Sequence, residues 1–259
     1  MNNADEANEV AGGEGAEKGE RLAAGLYVIG TPIGNLGDIT LRGVATLRGV
    51  GLVLAEDTRM TKRLLDRYGI RVPMWSCHKF SEASRLGPVL DRIRGGEAVG
   101  LVSDSGMPGI SDPGARVVEA VREAGLPVTC APGPTALTTA VALAGLDETG
   151  FLFGGFPPVK PGRRRRVLEE LLGPGFPVVV YESPYRVVKL LRDLEGMDAL
   201  MQVFVGRELT KKFEQTGWNT AQGWREHFER QEPRGEFVLI FRRGAGATRE
   251  HEDRDEGMD

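Results

Sequence analysis

Short apolar runs alternate with amphipathic stretches through the first half of the chain. Leu26–Gly30, Leu52–Ala55, Ala98–Val102 and Val128–Ala131 are four or five residues long and rich in Val, Leu and Ala. Continuous apolar runs of that length predict strands buried on both faces. Val72–Ser76 reads as a shorter strand. Between them, Ile39–Leu47, Thr58–Tyr68 and Ser81–Arg94 carry apolar residues at helical spacing. Asp57 or Thr58 is placed to cap the second helix. Ser81 opens the third, and Gly95-Gly96 closes it. Asp112-Pro113 predicts a further helix with Pro113 in its first turn, running to near Gly125, and Thr135–Ala144 a helix of small residues. Alternation at this density predicts a mostly parallel sheet with helices on both faces.

The second half has more strand and closer strand spacing. Phe151–Phe156, Pro177–Tyr181, Met201–Gly206, Lys212–Thr216 and Phe237–Phe241 read as strands; Gly162–Leu172, Pro184–Leu194 and Ala221–Glu229 read as helices. This predicts a mixed sheet in a separate lobe. The expected organisation is an α/β protein of two lobes, 22–135 and 136–243, between tails 1–21 and 244–259. The net charge of −4 hides an asymmetry. Each tail carries six acids against two basic residues, so the tails together account for −8 and the body stands at +4. Acidic, Gly-rich ends predict disorder, and a mildly basic body is compatible with a polyanionic partner. Two cysteines, Cys77 and Cys130, exclude a disulfide scaffold and fit a reducing compartment. No apolar run approaches the roughly 20 residues of a membrane span, and no amino-terminal stretch has signal-peptide form, so a cytoplasmic protein without membrane partners is expected.

Three loops of unusual composition follow apolar runs: Gly30–Asn35, Ser103–Gly114 and Ala131–Ala136. Gly, Pro and Asp crowd them. Loops of this kind at strand ends present backbone groups and carboxylates to a ligand, and three together predict one small-molecule site at the carboxyl edge of a sheet. None matches a P-loop or a dinucleotide fingerprint. His78, His227 and His251 are scattered and no Cys/His spacing fits zinc, so no metal is expected. A nucleotide hydrolase using Asp57, Asp104 and Asp112 with magnesium stays open on the residues alone.

With Glu56-Asp57-Thr58-Arg59, Tyr181-Glu182-Ser183-Pro184-Tyr185-Arg186 and Gly206-Arg207-Glu208-Leu209-Thr210-Lys211, the loops form six motifs in order. Over about Leu22 to Phe241 this arrangement resembles the ribosomal RNA small-subunit methyltransferase I family of the tetrapyrrole-methylase superfamily. Small-molecule methylases of that superfamily carry a Gly-Pro-Gly-Asp type first loop, where this chain has Gly30-Thr31-Pro32-Ile33-Gly34-Asn35. The resemblance implies 2′-O-methylation of a cytidine in 16S ribosomal RNA with S-adenosyl-L-methionine, within the small subunit, by a homodimer with a cofactor cleft between two α/β lobes. It places Pro32, Asp104, Met107, Thr135, Ala136, Tyr181 and Gly206 around the cofactor.

A ribose hydroxyl is a weak nucleophile, so a base or cation beside it would help. Glu182 and Arg186 are the leading candidates for positioning it, with Arg59 for the adjacent phosphate; Glu182 and Arg186 can also simply pair across a helix start, and Arg59 with Asp57 or Asp66. The densest positive run, Lys160 and Arg163-Arg164-Arg165-Arg166, is the expected RNA contact, extended by Lys79 and Lys211. Phe80 and Tyr185 are candidates to stack a base. Two other readings remain: a tetrapyrrole-like small-molecule methylase, which has no need of a tetra-arginine rim, and a non-catalytic RNA-binding assembly factor, which has no need of a cofactor slot.

Overall fold

The structure, a computed structural model, describes residues 22–78, 82–146 and 150–244. Both tail segments, 1–21 and 245–259, lie outside them. Two five-stranded sheets carry the fold. The first contains β1 (Gly25–Ile29), β2 (Leu52–Ala55), β3 (Met74–Ser76), β4 (Ala98–Val102) and β5 (Val128–Ala131) in the order β3-β2-β4-β1-β5. Every pairing is parallel. Parallel neighbours require crossovers, and helices supply them. On one face α1 (Leu41–Gly49) and α2 (Thr58–Arg67) bury Leu47 and Leu64 against Ile29, Val53 and Val102. On the other, α3 (Glu82–Arg94) and α4 (Ala115–Glu123) bury Val89, Ile93 and Val117 against Leu26, Leu52 and Leu101. Covered on both sides, β4 is buried at all five positions, which is why its sequence is apolar without alternation.

The chain crosses to the second sheet through Pro132–Thr135. Thr135 caps α5 (Ala136–Ala144), its hydroxyl accepting the Thr138 N–H at 3.1 Å. The second sheet contains β6 (Leu152–Phe153), β7 (Val178–Glu182), β8 (Gln202–Arg207), β9 (Gln215–Thr220) and β10 (Phe237–Arg242) in the order β6-β7-β10-β8-β9. Only β6 and β7 are parallel. Here the side chains alternate. Val178, Val180, Phe237, Leu239 and Phe241 pack with α6 (Pro161–Leu172), α7 (Val187–Met197) and α8 (Ala221–Arg230), while Val179, Val238 and Ile240 pack on α5. Period-two sorting of this kind follows from the pleat.

Four of the differences from expectation have a clear local cause, whereas α1 and β3 each start two residues later than expected. β6 is two residues long because Gly154 and Gly155, the latter at φ 58°, end it. β9 begins at Gln215, since Lys212 and Phe213 belong to the turn from β8. α4 begins at Ala115 rather than around Pro113: Gly114 at φ 125° occupies the cap, a conformation that separates proline and helix. α7 starts at Val187, because Pro184–Arg186 form a turn that closes on the Ser183 carbonyl.

The expected four-arginine surface is also corrected. Arg164 faces inward, its side chain 4% exposed, and its Nε donates to Asp193 Oδ2 at 2.6 Å. Arg165, 64% exposed, donates to the other oxygen at 2.8 Å. The pair joins α6 to α7, and Arg164 is a structural ion rather than a surface contact. Removing Asp193 would leave a buried guanidinium uncompensated. Asp193→Ala is therefore expected to lose about 3–5 kcal/mol of stability, and Arg165→Ala less than about 1, in urea unfolding; equal losses would contradict the buried pairing.

Candidate functional site

The sheet order sets β1 between β4 and β5, so the loops that leave their carboxyl ends are neighbours. The loop after β1 pairs with the loop after β4. Thr31 N–H donates to the Gly106 carbonyl at 2.9 Å, and Gly106 N–H returns a bond to the Thr31 carbonyl at 3.1 Å. The Thr31 hydroxyl donates to the Ser103 carbonyl at 3.0 Å. Against the loop after β5 the approach is closer still. A Cβ on Gly30 would stand 2.6 Å from the Gly133 backbone and 2.6 Å from Met107 Sδ. Only two glycines permit this crossing.

The second lobe reaches the same place from the ends of β7, β8 and β10. Ile33 and Leu209 share a core cluster with Tyr181 and Val238. Asn35 N–H donates to the Thr210 hydroxyl at 3.1 Å. Between the lobes lies a cavity of about 260 Å³. Of the residues expected around a cofactor, Met107, Thr135, Ala136, Tyr181 and Gly206 line it. Pro32 and Asp104 do not: Pro32 is buried between Thr31 and Ile33, and Asp104 is exposed, its Oδ1 accepting the Asp57 N–H at 2.9 Å. Asp104 thus ties the end of β4 to the start of α2. The cavity wall also holds Asp112, which the sequence offered only for a magnesium site, Ile33 and Leu209, which lie in two of the six motifs without an assigned role, and Phe156 and the stretch from Gly235 to Val238, which sequence reasoning missed. Gly235, at φ 85° just before the apolar run of β10, was the one local signal for the last of these.

The family model for Tetrapyrrole (Corrin/Porphyrin) Methylases matches residues 25–222. A protein of Thermotoga maritima named ribosomal RNA small subunit methyltransferase I is 41% identical over 216 residues, 83% of this chain and 97% of that one. Its namesake from Synechocystis is 41% identical over 87% of this chain and 80% of its own. The chain belongs to the ribosomal RNA small subunit methyltransferase I family. Solved structures agree in fold. A cobalt precorrin-4 methyltransferase matches with a TM-score of 0.61 at 17% identity, covering 83% of this chain and 93% of its own. A diphthine synthase matches at 0.65 and 12%, covering 84% and 89%.

Within this methyltransferase fold, Glu182 is the most unusual group. Its carboxylate is buried in the cavity wall. Oε1 accepts from Ser183 N–H at 2.7 Å and from Arg186 Nε at 2.6 Å, whereas Oε2 is buried without a partner. Burial pushes its pKa upward despite the neighbouring Arg186 and Arg164. Arg186 also donates to the Pro157 carbonyl at 3.3 Å. The two residues are paired, as the spacing allowed, with Glu182 buried in the cavity wall and Arg186 largely covered rather than on the open surface. Across the cavity, burial raises the Asp112 carboxyl, helped by Asp104; burial also raises Glu56, helped by Asp112 and Asp104. Asp57 is instead lowered to about 2 by hydrogen bonds from Arg59. Arg59 is exposed, grips Asp57 and does not line the cavity.

The cationic candidates lie in different settings. Lys160, Arg163 and Arg166 are exposed at the start of α6. Lys211 is clasped by Glu208 and Glu236, both at 2.9 Å, so its charge is balanced. Lys79 and Phe80 fall outside the described residues. Among the described residues no cluster of three or more His, Cys, Asp or Glu could hold a metal, and no helix is long and apolar enough to cross a membrane.

The glycine crossing gives a direct test. Gly30→Ala forces the loop after β5 away from the loop after β1, and the cavity wall moves with it. Calorimetry should show a loss of S-adenosylmethionine binding of at least about tenfold, while Gly69→Ala, at a left-handed turn with open space around it, leaves binding unchanged. Wild-type affinity in Gly30→Ala would show that the crossing does not shape the site.

Proposed function

We propose that the protein transfers a methyl group from S-adenosyl-L-methionine to the 2′-hydroxyl of a cytidine in 16S ribosomal RNA. The observation that carries this reading is a cavity enclosed by both lobes, with one buried, unpartnered carboxylate oxygen in its wall. The residues present suit the donor. Gly106 and Gly206 allow close backbone approach, Met107, Ile33 and Leu209 supply apolar wall, and Asp112 and Glu236 set carboxylates around a cationic ligand. When bound, the donor supplies a methyl group on a positively charged sulfur.

The chain's own contribution is alignment and proton handling. Displacement at a methyl carbon requires an in-line approach, so rigid loops that fix both reactants supply much of the acceleration. Glu182 Oε2 is an open acceptor for the ribose hydroxyl, and Arg186 holds the carboxylate through Oε1. As the hydroxyl oxygen becomes an ether it loses its proton, and Glu182 takes it. A carboxylate raised by burial is a stronger base than one in water. Lys160, Arg163, Arg165 and Arg166 meet phosphates outside the cavity. The proposed setting is the small subunit in the cytoplasm, with the protein as a homodimer, and sedimentation equilibrium measures the last point.

The decisive assay is incubation with labelled donor and small subunits lacking the modification, followed by nucleoside analysis. Label in 2′-O-methylcytidine is expected; label on a base, or none in RNA, overturns the reading. Glu182→Gln should lower kcat by about 10²–10⁴-fold while donor affinity stays within about threefold. For the wild type kcat should rise with pH through a midpoint above 4.5, as Glu182 ionises, and the variant should lose that limb. An unchanged kcat removes Glu182 from the chemistry. Replacing Arg163, Arg165 and Arg166 with Ser should flatten the salt dependence of RNA binding by about 0.7 in log–log slope per lost contact. An unchanged slope would assign these arginines to solvent.

A further inference from the structure

Phe153, Tyr181 and Phe156 form an aromatic ladder along the second-lobe wall of the cavity. Phe153 and Tyr181 meet edge to face with centroids 5.1 Å apart, and Tyr181 and Phe156 likewise at 5.5 Å. The Tyr181 hydroxyl accepts the Leu137 N–H at 3.2 Å, which fixes the middle ring. Phe156 at the outer end lines the cavity yet remains 54% exposed. Leaving such a ring half in water forgoes part of its burial energy, so an open phenyl at the cavity wall marks a contact surface.

The surroundings identify what that surface takes. Tyr185 is 88% exposed on the turn beside cavity-lining Ser183 and Pro184. Arg186 ties this turn to the Pro157 carbonyl, and Arg164 Nη1 ties the Val159 carbonyl to α6 at 3.3 Å. Pro157 and Pro158 fix two φ angles between them. Phe156–Lys160 and Ser183–Arg186 are therefore one braced rim. Lys160 and Arg163 follow at once in sequence, and Arg166 stands one turn further along α6. Open aromatic faces beside clustered cations suit a polynucleotide whose bases are free to stack and whose phosphates need balancing. A duplex buries its base faces in its own stack and leaves none free for an aromatic ring.

We propose that this rim receives an unpaired stretch of RNA, with the acceptor base stacked on Phe156, its neighbour on Tyr185, and the backbone on Lys160, Arg163 and Arg166. The inference rests on the RNA methyltransferase reading and adds the class of substrate: a single-stranded or extruded nucleotide, held by stacking.

The test uses the full chain and two probes of one sequence, a short single-stranded RNA and its duplex, each with a 2-aminopurine in place of one base. In anisotropy titrations the single strand should bind at least about tenfold more tightly than the duplex, with the 2-aminopurine quenched on binding. Phe156→Ala should weaken single-strand binding about tenfold and abolish the quenching, leave duplex binding and salt slope unchanged, and Phe156→Trp should restore both. Equal binding of the two probes, or unchanged quenching in Phe156→Ala, overturns the stacking rim while salt-dependent RNA binding leaves the methyltransferase reading standing. Failure of both probes to bind, together with no methylation of small subunits, overturns the RNA reading itself and the rim with it.

Discussion

Two backbones in contact at Gly30 and Gly133 are the constraint on which the site depends. No side chain fits between them: a Cβ on either residue would stand under 3 Å from the other's backbone. Their contact lets the loops after β1 and β5 close together, and the Thr31–Gly106 bond pair adds the loop after β4. Sheet order makes the convergence possible. β1 lies between β4 and β5, so the order in which strands are added reverses there and the loop ends open a crevice, as expected at such a point in a parallel sheet. The second lobe completes the enclosure through Ile33, Leu209 and Tyr181.

The first lobe was legible because its central strands β1, β2 and β4 are covered on both faces and its glycine loops announce strand ends; the edge strand β5 leaves Thr129 and Cys130 exposed, against the expectation of a strand buried on both faces. β2, β4 and β5 run over the residues that the apolar runs indicated. The second lobe was less legible, since its cavity wall comes from antiparallel register. Phe237 lies opposite both Glu182 and Arg207, so strands 55 and 30 residues apart in sequence meet at the site. No local pattern carries that pairing. The burial of Arg164 was readable and was overlooked. Arg164, Leu168 and Leu172 are spaced by four on α6, and all three are buried. Asp193 sits between Leu190 and Leu194 on the inner face of α7. Extending each apolar stripe by one position predicts an internal ion pair, where charge composition alone predicts a surface run.

Charge is sorted by sign around the cavity. The first-lobe edge carries Glu56, Asp104 and Asp112; burial raises all three, and neighbouring carboxylates add to it, Asp112 and Asp104 at Glu56, Asp104 at Asp112, and Asp57 at Asp104. The exposed arginines stand outside, on α6. A polyanion is drawn to the rim and repelled from the interior, whereas a cationic ligand gains by entering. On the proposed reading the two partners of the transfer meet regions of opposite charge. The Glu182–Arg186 pair stands at the boundary of these regions, with one oxygen bound to its arginine and the other open.

The turn from β8 to β9 shows what joining the lobes costs. Arg207 and Gln215 are paired in the ladder, so residues 208–214 must leave and return at one point. Within that span the turn also meets the first lobe: Gly34 lies so close that a Cβ there would be 2.5 Å from Lys211 Cγ. Glu208 at φ 51° and Thr210 at φ 64° adopt left-handed conformations, and a β-branched residue does so only under compulsion. Each costs on the order of 1–3 kcal/mol. The Glu208–Lys211–Glu236 clasp and the bond from Thr210 N–H to Glu214 hold them there. A glycine at position 210 would relieve the backbone but would remove the hydroxyl that accepts from Asn35. Strain in this turn is therefore tied to contact with the first lobe, and the same short segment that suffers it carries Leu209 into the cavity wall.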